Sequence, residues 1–310
     1  MTADVETESS MAATVAAIER EFAGFAGTGG VFARHLGTGE EVRVNADAET
    51  ATASTIKVPI LIELFRQVET GEVDLEARLP VTQAVRTVGS GVLRELSDGV
   101  ELSVLDHATL MIVVSDNIST NALIDLVGLE RVNRTMAELG FPRTRLKRRL
   151  DFPAIGQDAR NLAVSTPAEL AGIMAALATG AFLSEASRTA ILEIMGRQHY
   201  LDLVPRYLPY SPYREELGEP DNGLRIANKT GGWRGMRADI ALVAWPGTRY
   251  VIAAVTEGDP DTRFWAENEG DRVIGRVSRL VFDHFGGGDL ATEPRTAEQE
   301  QRAGREPGVR

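Results

Sequence analysis

The chain has 310 residues, of which 43% are hydrophobic, and this is enough to bury a substantial core in one large or two moderate domains. Its net charge of -12 argues against nucleic acid as a partner, because a surface that binds phosphates needs an excess of Lys and Arg. Cysteine is absent, which excludes thiol nucleophiles, disulfides and thiolate metal sites.

The N-terminal segment resembles neither a secretion signal nor a membrane anchor. Residues 1–10 include Asp4, Glu6 and Glu8 and no basic residue, and no long apolar run follows them. No stretch of about 18 uncharged apolar residues occurs anywhere in the chain. We therefore predict a cytoplasmic protein without membrane contact, in which residues 1–10 are flexible.

The predicted elements begin with a helix laid against a hairpin. Apolar residues recur every three or four positions from about Met11 to Phe25, which indicates an amphipathic helix, and the glycines at 27–30 end it. Strands are predicted at 31–36 and 42–44, on either side of a Gly-containing turn. A further helix is predicted from Ser54 to Glu69.

The middle of the chain is predicted to be helical, and strands return near its end. Apolar stripes indicate helices at 105–114, 117–127, 129–139, 167–178 and 184–195. Strands follow at 225–228, 238–244 and 249–256, and a closing helix at 262–285. We expect an α/β (α+β) domain over 11–286, with an antiparallel sheet built from both termini and a helical lobe inserted at about 58–205. Residues 287–310 are rich in Gly, Pro and charge, and we predict that this tail is disordered.

The first short motif, Ser54-Thr55-Ile56-Lys57, lies at the start of a predicted helix. Side chains three residues apart share a helix face, so the ammonium of Lys57 can reach the hydroxyl of Ser54. The backbone N–H of Ser54 would lie among the unpaired donors of the helix N-terminus, where an oxyanion is stabilised. A capping serine followed by a solvated lysine would give the same motif, but the apolar run Val58–Leu64 favours a buried Lys57.

Two further motifs, Ser115-Asp116-Asn117 and Lys229-Thr230-Gly231, follow in order along the chain. Taken alone, the first is also typical of a helix cap and the second of a strand end and turn. Together the three motifs supply a nucleophile, two amines, a second hydroxyl and an amide. These groups are sufficient for acyl transfer without histidine.

In their order, the three motifs resemble the S-x-x-K, S-D-N and K-T-G motifs of class A β-lactamases and penicillin-binding proteins. The resemblance covers roughly residues 11–285 and implies the serine β-lactamase-like fold. The gap between the second and third motifs is longer than in the family by about one short loop, which the segment 205–222 could supply. Further similarity lies in three short segments: Gly89-Ser90-Gly91-Val92-Leu93, Asn121, and Arg234-Gly235-Met236-Arg237.

The resemblance also implies a role for each matching residue. Ser54 would be the acylated nucleophile, Lys57 its proton acceptor, and Ser115 the relay of a proton to the leaving nitrogen. A second ammonium nearby would help to keep Lys57 neutral. Asn117 would orient the amide of the substrate. Its carboxylate would be bound by Lys229, Thr230 and Arg237, and its oxyanion by the backbone N–H groups of Ser54 and Gly232.

The chain departs from the class A pattern at the loop that reads E-x-x-L-N in those enzymes. Counted from Thr144-Arg145-Leu146, which is similar to the run before that loop, the position of the deacylating Glu is Leu150 and that of the Asn is Ala154. Asp151 is the nearest carboxylate that could replace the Glu, and we include it as a catalytic candidate. Ion pairing of Asp151 with Arg148 or Arg149 is the competing interpretation.

The remaining features add no cofactor. The four histidines, at 35, 107, 199 and 284, lack metal-ligand spacing, so we expect neither metal nor cofactor. We predict a monomeric serine hydrolase that acts on a small molecule, a β-lactam or a related carboxylate-bearing amide or ester. Two alternatives stay open: a D-amino-acid peptidase, esterase or glutaminase-like amidase of the same fold, and a binding or sensing module that is acylated but not released.

Overall fold

The computed structural model describes residues 2–180 and 182–290. Its strands are β1 (Thr28–His35), β2 (Glu41–Val44), β3 (Thr50–Ala51), β4 (Arg78–Pro80), β5 (Glu101–Ser103), β6 (Arg145–Leu146), β7 (Ala163–Ser165), β8 (Arg225–Trp233), β9 (Met236–Trp245) and β10 (Thr248–Glu257). Its helices are α1 (Thr2–Ala23), α2 (Lys57–Glu69), α3 (Val104–Val113), α4 (Asn117–Val127), α5 (Leu129–Glu138), α6 (Phe152–Ile155), α7 (Pro167–Thr179), α8 (Glu185–Gly196) and α9 (Glu269–His284).

The main sheet has five antiparallel strands in the order β2-β1-β10-β9-β8. Its first two strands come from the start of the chain and its last three from the end, and the residues between β2 and β8 form the inserted lobe. This confirms the predicted fold. The lobe also contains short strands that the sequence pattern did not indicate, in a β3-β7-β6 sheet and a β4-β5 pair.

The main sheet separates two hydrophobic cores. Alternate side chains of a strand point to opposite faces, and along β9 Ile240 joins the core on the lobe side while Ala241 joins the core beneath α1 and α9. The lobe-side core continues through α2, α3 and α4, where Leu64, Met111 and Leu123 are fully buried. The sheet is therefore the middle layer of the molecule, and the lobe rests on one face of it.

Several predicted boundaries differ from the structure. The closing helix begins at Glu269 and not near Thr262, because Asp259 and Asp261 accept hydrogen bonds from nearby backbone N–H groups and hold a loop, after which Asn268 caps α9. The helix predicted from Ser54 is a 3-10 turn, Ala53–Ile56, that leads into α2. The strand predicted to end at Asn228 continues to Trp233, so the third motif lies within β8.

Helical elements extend beyond both ends of the predicted domain, 11–286. Helix α1 begins at Thr2, ahead of the predicted start near Met11, and the flexibility of residues 1–10 stays a prediction. At the other end Leu290 packs against the core beneath α1 and α9, while residues 291–310 of the predicted tail lie outside the described residues. Along 2–180 and 182–290, no helix is both long enough and apolar enough to cross a membrane.

Candidate active site

Ser54 lies in the 3-10 turn that precedes α2. The residue before it, Ala53, is buried and has a φ of 42°, in the left-handed region that non-glycine residues rarely adopt. Such a conformation costs about 1–3 kcal/mol and persists only where surrounding contacts impose it. The turn places Ser54 at a partly exposed position directly before the buried residues Thr55, Ile56 and Lys57.

The side chain of Lys57 is buried against the second motif. Its Nζ lies 2.7 Å from the carbonyl oxygen of Ser115, 3.0 Å from Ser115 Oγ and 2.8 Å from Asn117 Oδ1. Burial lowers the pKa of Lys57 well below its ordinary value; the charge of Lys229 acts in the same direction and that of Asp116 opposes it. A neutral amine satisfies all three contacts if it donates to the carbonyl and amide oxygens and accepts from the Ser115 hydroxyl.

The second motif forms a strained turn at the start of α4. Ser115 has a φ of 53°, and Asp116 is the N-cap residue, accepting from the N–H of Ser119. The other carboxylate oxygen of Asp116 accepts from the N–H groups of Val92 and Leu93 at 2.7 and 2.9 Å. The capping interpretation of this motif is therefore correct, and the same cap fixes the turn that presents Ser115 and Asn117 to Lys57.

Ser90 also belongs to this cluster, although sequence reasoning assigned it no role. Its hydroxyl donates to the carbonyl oxygen of Ser115 at 2.7 Å, and the amide of Asn117 donates to the carbonyl oxygen of Val88 at 2.9 Å. The segment around Ser90 was recognised only as a local similarity. Its contacts fix both the backbone of the second motif and the orientation of the Asn117 amide.

Lys229 points into the lobe-facing side of β8 and is fully buried. Its Nζ donates to the carbonyl oxygen of Thr230 at 2.7 Å. Burial lowers the pKa of Lys229 to about 7, while the charge of Asp239 acts to raise it. Thus both lysines of the motifs lie in low-dielectric surroundings, close enough for their charges to interact.

Gly231 explains how β8 approaches the nucleophile. A Cβ at this position would lie 2.7 Å from the carbonyl oxygen of Thr52 and 3.0 Å from the backbone nitrogen of Ser54. No other residue type fits without movement of the backbone. The glycine therefore permits the strand that carries Lys229, Thr230 and Gly232 to lie against the turn that carries Ser54.

Arg237, which is paired with Gly232 across the β8-β9 ladder, is held by protein groups. Its Nε contacts the carboxylate of Asp271 at 2.7 Å, and its other nitrogens donate to backbone carbonyl oxygens of Trp233, Met236 and Arg263. Its guanidinium is therefore largely occupied. Binding of a substrate carboxylate by Arg237 and Thr230 stays a prediction.

Leu150 is buried, and α4 holds its backbone. Asn121 accepts from the N–H of Leu150 at 2.9 Å and donates to its carbonyl oxygen at 3.2 Å. Asn121 lies one helical turn after Asn117, and residues four apart share a helix face. The backbone of Leu150 is therefore held on the same face of α4 as Asn117, whose Oδ1 contacts Lys57. The position predicted for the deacylating carboxylate is thus occupied by an apolar side chain within the core.

Asp151 is exposed and caps α6, where its Oδ1 accepts from the N–H of Ala154 at 3.3 Å. Within the described residues neither competing ion pair forms, because Arg149 pairs with Asp125 and Arg148 donates to a backbone carbonyl oxygen. The catalytic role of Asp151 stays a prediction.

Within residues 2–180 and 182–290, no group of three or more His, Cys, Asp and Glu side chains is arranged to hold a metal ion.

The loop that contains Leu150 is attached to β8 and borders an open cleft. The rings of Phe152 and Trp233 lie 4.9 Å apart, and Trp233 Nε1 donates to the carbonyl oxygen of Gln157 at 3.1 Å. The adjacent cleft has a volume of about 590 Å³, and its lining includes neither Ser54 nor the two buried lysines. It is lined by the segments 84–88 and 148–154 together with Asn121.

The fold and the juxtaposition of Ser54, two buried lysines and the Ser115 turn define the class of serine β-lactamase-like proteins. A model of the β-lactamase enzyme family matches residues 13–285, and the chain belongs to that family.

Solved structures with the same fold include a β-lactamase from Sphaerobacter thermophilus, which is 34% identical with a TM-score of 0.76 and alignment over 90% of this chain and 97% of the other. PBP-A is 30% identical with a TM-score of 0.76, over 88% and 95% of the two chains. A leucine-to-glutamate variant of PBP-A is described as an acyl-enzyme complex with penicillin G.

Among curated proteins, a β-lactamase from Rhodobacter capsulatus is 27% identical over 85% of each chain. A shorter match, 30% identical over 115 residues, is to the β-lactamase regulatory protein BlaB of Streptomyces cacaoi, and it spans 37% of each chain.

Proposed function

We propose that this protein is a β-lactamase-type serine hydrolase, which forms an acyl-enzyme between Ser54 and a β-lactam or a related carboxylate-bearing amide or ester. The observation that carries this proposal is the burial of Lys57, whose Nζ lies 3.0 Å from Ser115 Oγ and whose pKa is well below its ordinary value. A lowered pKa increases the share of the neutral amine, and only the neutral amine can accept a proton.

In the proposed acylation step, Ser54 Oγ attacks the carbonyl carbon of the substrate and its proton passes to Lys57. The backbone N–H groups of Ser54 and Gly232 stabilise the oxyanion. Lys57 then returns a proton through Ser115 Oγ to the ring or amide nitrogen, the carbon–nitrogen bond breaks, and the acyl group stays on Ser54. The contact of Lys57 with Ser115 supports the second half of this route, in which the proton leaves Lys57 for the nitrogen of the substrate.

Release of the acyl group is proposed to be slow. A water molecule that attacks the ester needs a general base, and Leu150 occupies the position predicted for that group. Asp151 is the nearest carboxylate in sequence, but its side chain caps α6. Together with Leu150, the likeness to PBP-A supports a second candidate function: a penicillin-binding protein or sensor that is acylated without turnover. The penicillin G acyl-enzyme described for a PBP-A variant supports acylation on this scaffold and does not bear on its release.

The test is to mix the protein with a chromogenic cephalosporin and to follow both absorbance and intact mass. Sustained colour development supports hydrolysis, and a mass increase that persists for minutes to hours supports the acylated sensor. Ser54→Ala should abolish both signals. Lys57→Met, which preserves the buried volume and removes the amine, should slow acylation by about 10²-fold or more.

The absence of both colour and adduct in the wild-type protein would contradict a β-lactam as the substrate. Carboxylate-bearing esters and D-amino-acid peptides would then be the next substrates to examine. Acylation of Lys57→Met at the wild-type rate would instead exclude Lys57 as the base.

A further inference from the structure

Phe264 is an aromatic residue that is left 69% exposed beside the candidate active site. Its ring lies over the guanidinium of Arg237, 4.3 Å from Arg237 Cζ to the ring centroid. The same ring is the nearest group to a Cβ built on Gly232, at 2.8 Å. An exposed phenyl ring therefore lies between two residues predicted to contact the carboxylate and the oxyanion of the substrate.

The loop that carries Phe264 is held in place by hydrogen bonds. The carboxylate of Asp261 accepts from the backbone and side chain of Arg263 and from Trp265 Nε1, at 2.8 to 3.1 Å. Asn268 donates to the carbonyl oxygen of Asp261 at 2.9 Å. Arg237 donates to the carbonyl oxygen of Arg263 at 2.7 Å, next to Phe264 itself. The ring is thus presented from a fixed backbone.

Phe264 stays 69% exposed even though its ring stacks on Arg237. The stacking accounts for the position of the ring, but not for leaving most of an apolar side chain in water. A ligand with a large apolar group would cover this surface and gain both hydrophobic burial and ring contact. A ligand with a small group at the same place would leave the ring exposed.

We infer that Phe264 is a specificity-determining residue, which contacts an aromatic or other large apolar substituent located next to the carboxylate of the substrate. This inference rests on the proposed function. The site would prefer carboxylate-bearing acyl donors that have a bulky apolar group on the carbon next to the carboxylate-bearing carbon.

The test uses two cephalosporins with the same acylamino side chain, one with a styryl and one with a methyl group on the ring carbon next to the carboxylate-bearing carbon. Acylation rate constants are measured by intact mass for the wild type, Phe264→Ala and Phe264→Leu. We expect the ratio of styryl to methyl rate constants to fall by roughly 3- to 10-fold in Phe264→Ala, which corresponds to the loss of one aromatic contact. Phe264→Leu should retain part of the ratio.

Tyr213→Ala is the matched control, because Tyr213 is an aromatic residue that is 58% exposed and lies outside the loop that carries Phe264. It should leave the ratio unchanged. An equal loss with both cephalosporins in Phe264→Ala would indicate that the ring only supports Arg237, and it would overturn the inference. If Phe264→Ala is acylated by both cephalosporins with the wild-type ratio of rate constants, this inference alone is overturned. If the wild type is acylated by neither cephalosporin, the proposed function is overturned as well.

Discussion

A lysine that is removed from water loses the hydration of its ammonium group, and at Lys57 the protein replaces that hydration with three oxygen contacts. None of the three oxygens belongs to a carboxylate. The charged form is therefore not strongly stabilised, and the nearby charge of Lys229 disfavours it further. The chemistry of a single side chain thus depends on what surrounds it, which the motif alone does not specify.

At the scale of one residue, a substitution of Leu150 tests the release of the acyl group most directly. Leu150→Glu places a carboxyl group at the residue whose backbone is held by Asn121, one helical turn after Asn117, where it could act as general base toward a water molecule. We expect deacylation to accelerate by about 10²-fold or more, because general-base catalysis contributes that much, while acylation changes little. Single-turnover acylation and release of the adduct, followed by intact mass, measure the two steps separately.

Leu150→Gln is the matched control for this substitution. It has nearly the same shape as glutamate and disturbs the core to a similar extent, but it cannot accept the proton. Equal release rates in Leu150→Glu and Leu150→Gln would contradict a role for this position in deacylation.

Strand β8 is the element that brings the third motif to the nucleophile. It lies at the edge of the main sheet, where it is paired with β9 on one side, and Gly231 permits its close approach to the turn at Ser54. Side chains alternate along it, so Lys229 faces the lobe while Thr230 shares the opposite face with Asp239. Asp239 is fully buried and accepts from the amide of Asn228 and from the N–H of Val204.

The strand gives a prediction about pH. The pKa of Lys229 is lowered to about 7, so this lysine loses its charge as the pH rises above that value. We expect the KM for carboxylate-bearing substrates to rise above about pH 7, and the KM for the corresponding methyl esters to change little. Steady-state or acylation kinetics between about pH 6 and pH 9 would show the difference.

Asp239→Asn extends the same experiment. The negative charge of Asp239 raises the pKa of Lys229, and burial raises the pKa of Asp239 itself to about 7, so its charge develops over the same range. Removal of that charge should move the rise in KM to lower pH. A KM that is independent of pH in both proteins would contradict the assignment of Lys229 to the substrate carboxylate.

At the scale of the whole molecule, the site is formed where the lobe meets the edge of the sheet. Ser54, Lys57, Ser115 and Asn117 belong to the inserted segment, whereas Lys229 and Gly232 belong to a strand of the main sheet. The lobe-side core joins the two parts, and Leu64 on α2 is fully buried in it. The stability of this core is therefore a condition for the geometry of the site.

Leu64→Ala tests this dependence. Removal of a fully buried leucine side chain leaves a cavity and should lower the free energy of unfolding by about 2–5 kcal/mol, measured by urea denaturation. Leu217→Ala, at a leucine that is 66% exposed, is the control and should change the free energy by less than about 0.5 kcal/mol. Equal effects of the two substitutions would show that the lobe-side core is not the main source of stability.

Local patterns in the sequence were sufficient for most helices and for the family resemblance that the motifs carry. Helix α4 was predicted with its observed bounds because its apolar spacing is regular and Asp116 is a strong cap. The last part of β8 was missed because Gly231 and Gly232 interrupt the strand pattern, although pairing with β9 supplies the hydrogen bonds that extend it.

What the sequence determined by itself is the set of candidate reactive groups, since Ser54, Lys57, Ser115 and Lys229 can be read from three short motifs. It also determined the absence of a carboxylate at Leu150. What only the tertiary structure decided is how these groups act on one another. The protonation of Lys57 depends on its burial and on the charge of Lys229, which is far away in sequence. The exposure of Phe264 beside Gly232 depends on a loop for which the sequence pattern predicted a helix. Such distances and dielectric surroundings arise from packing, and the sequence pattern does not contain them.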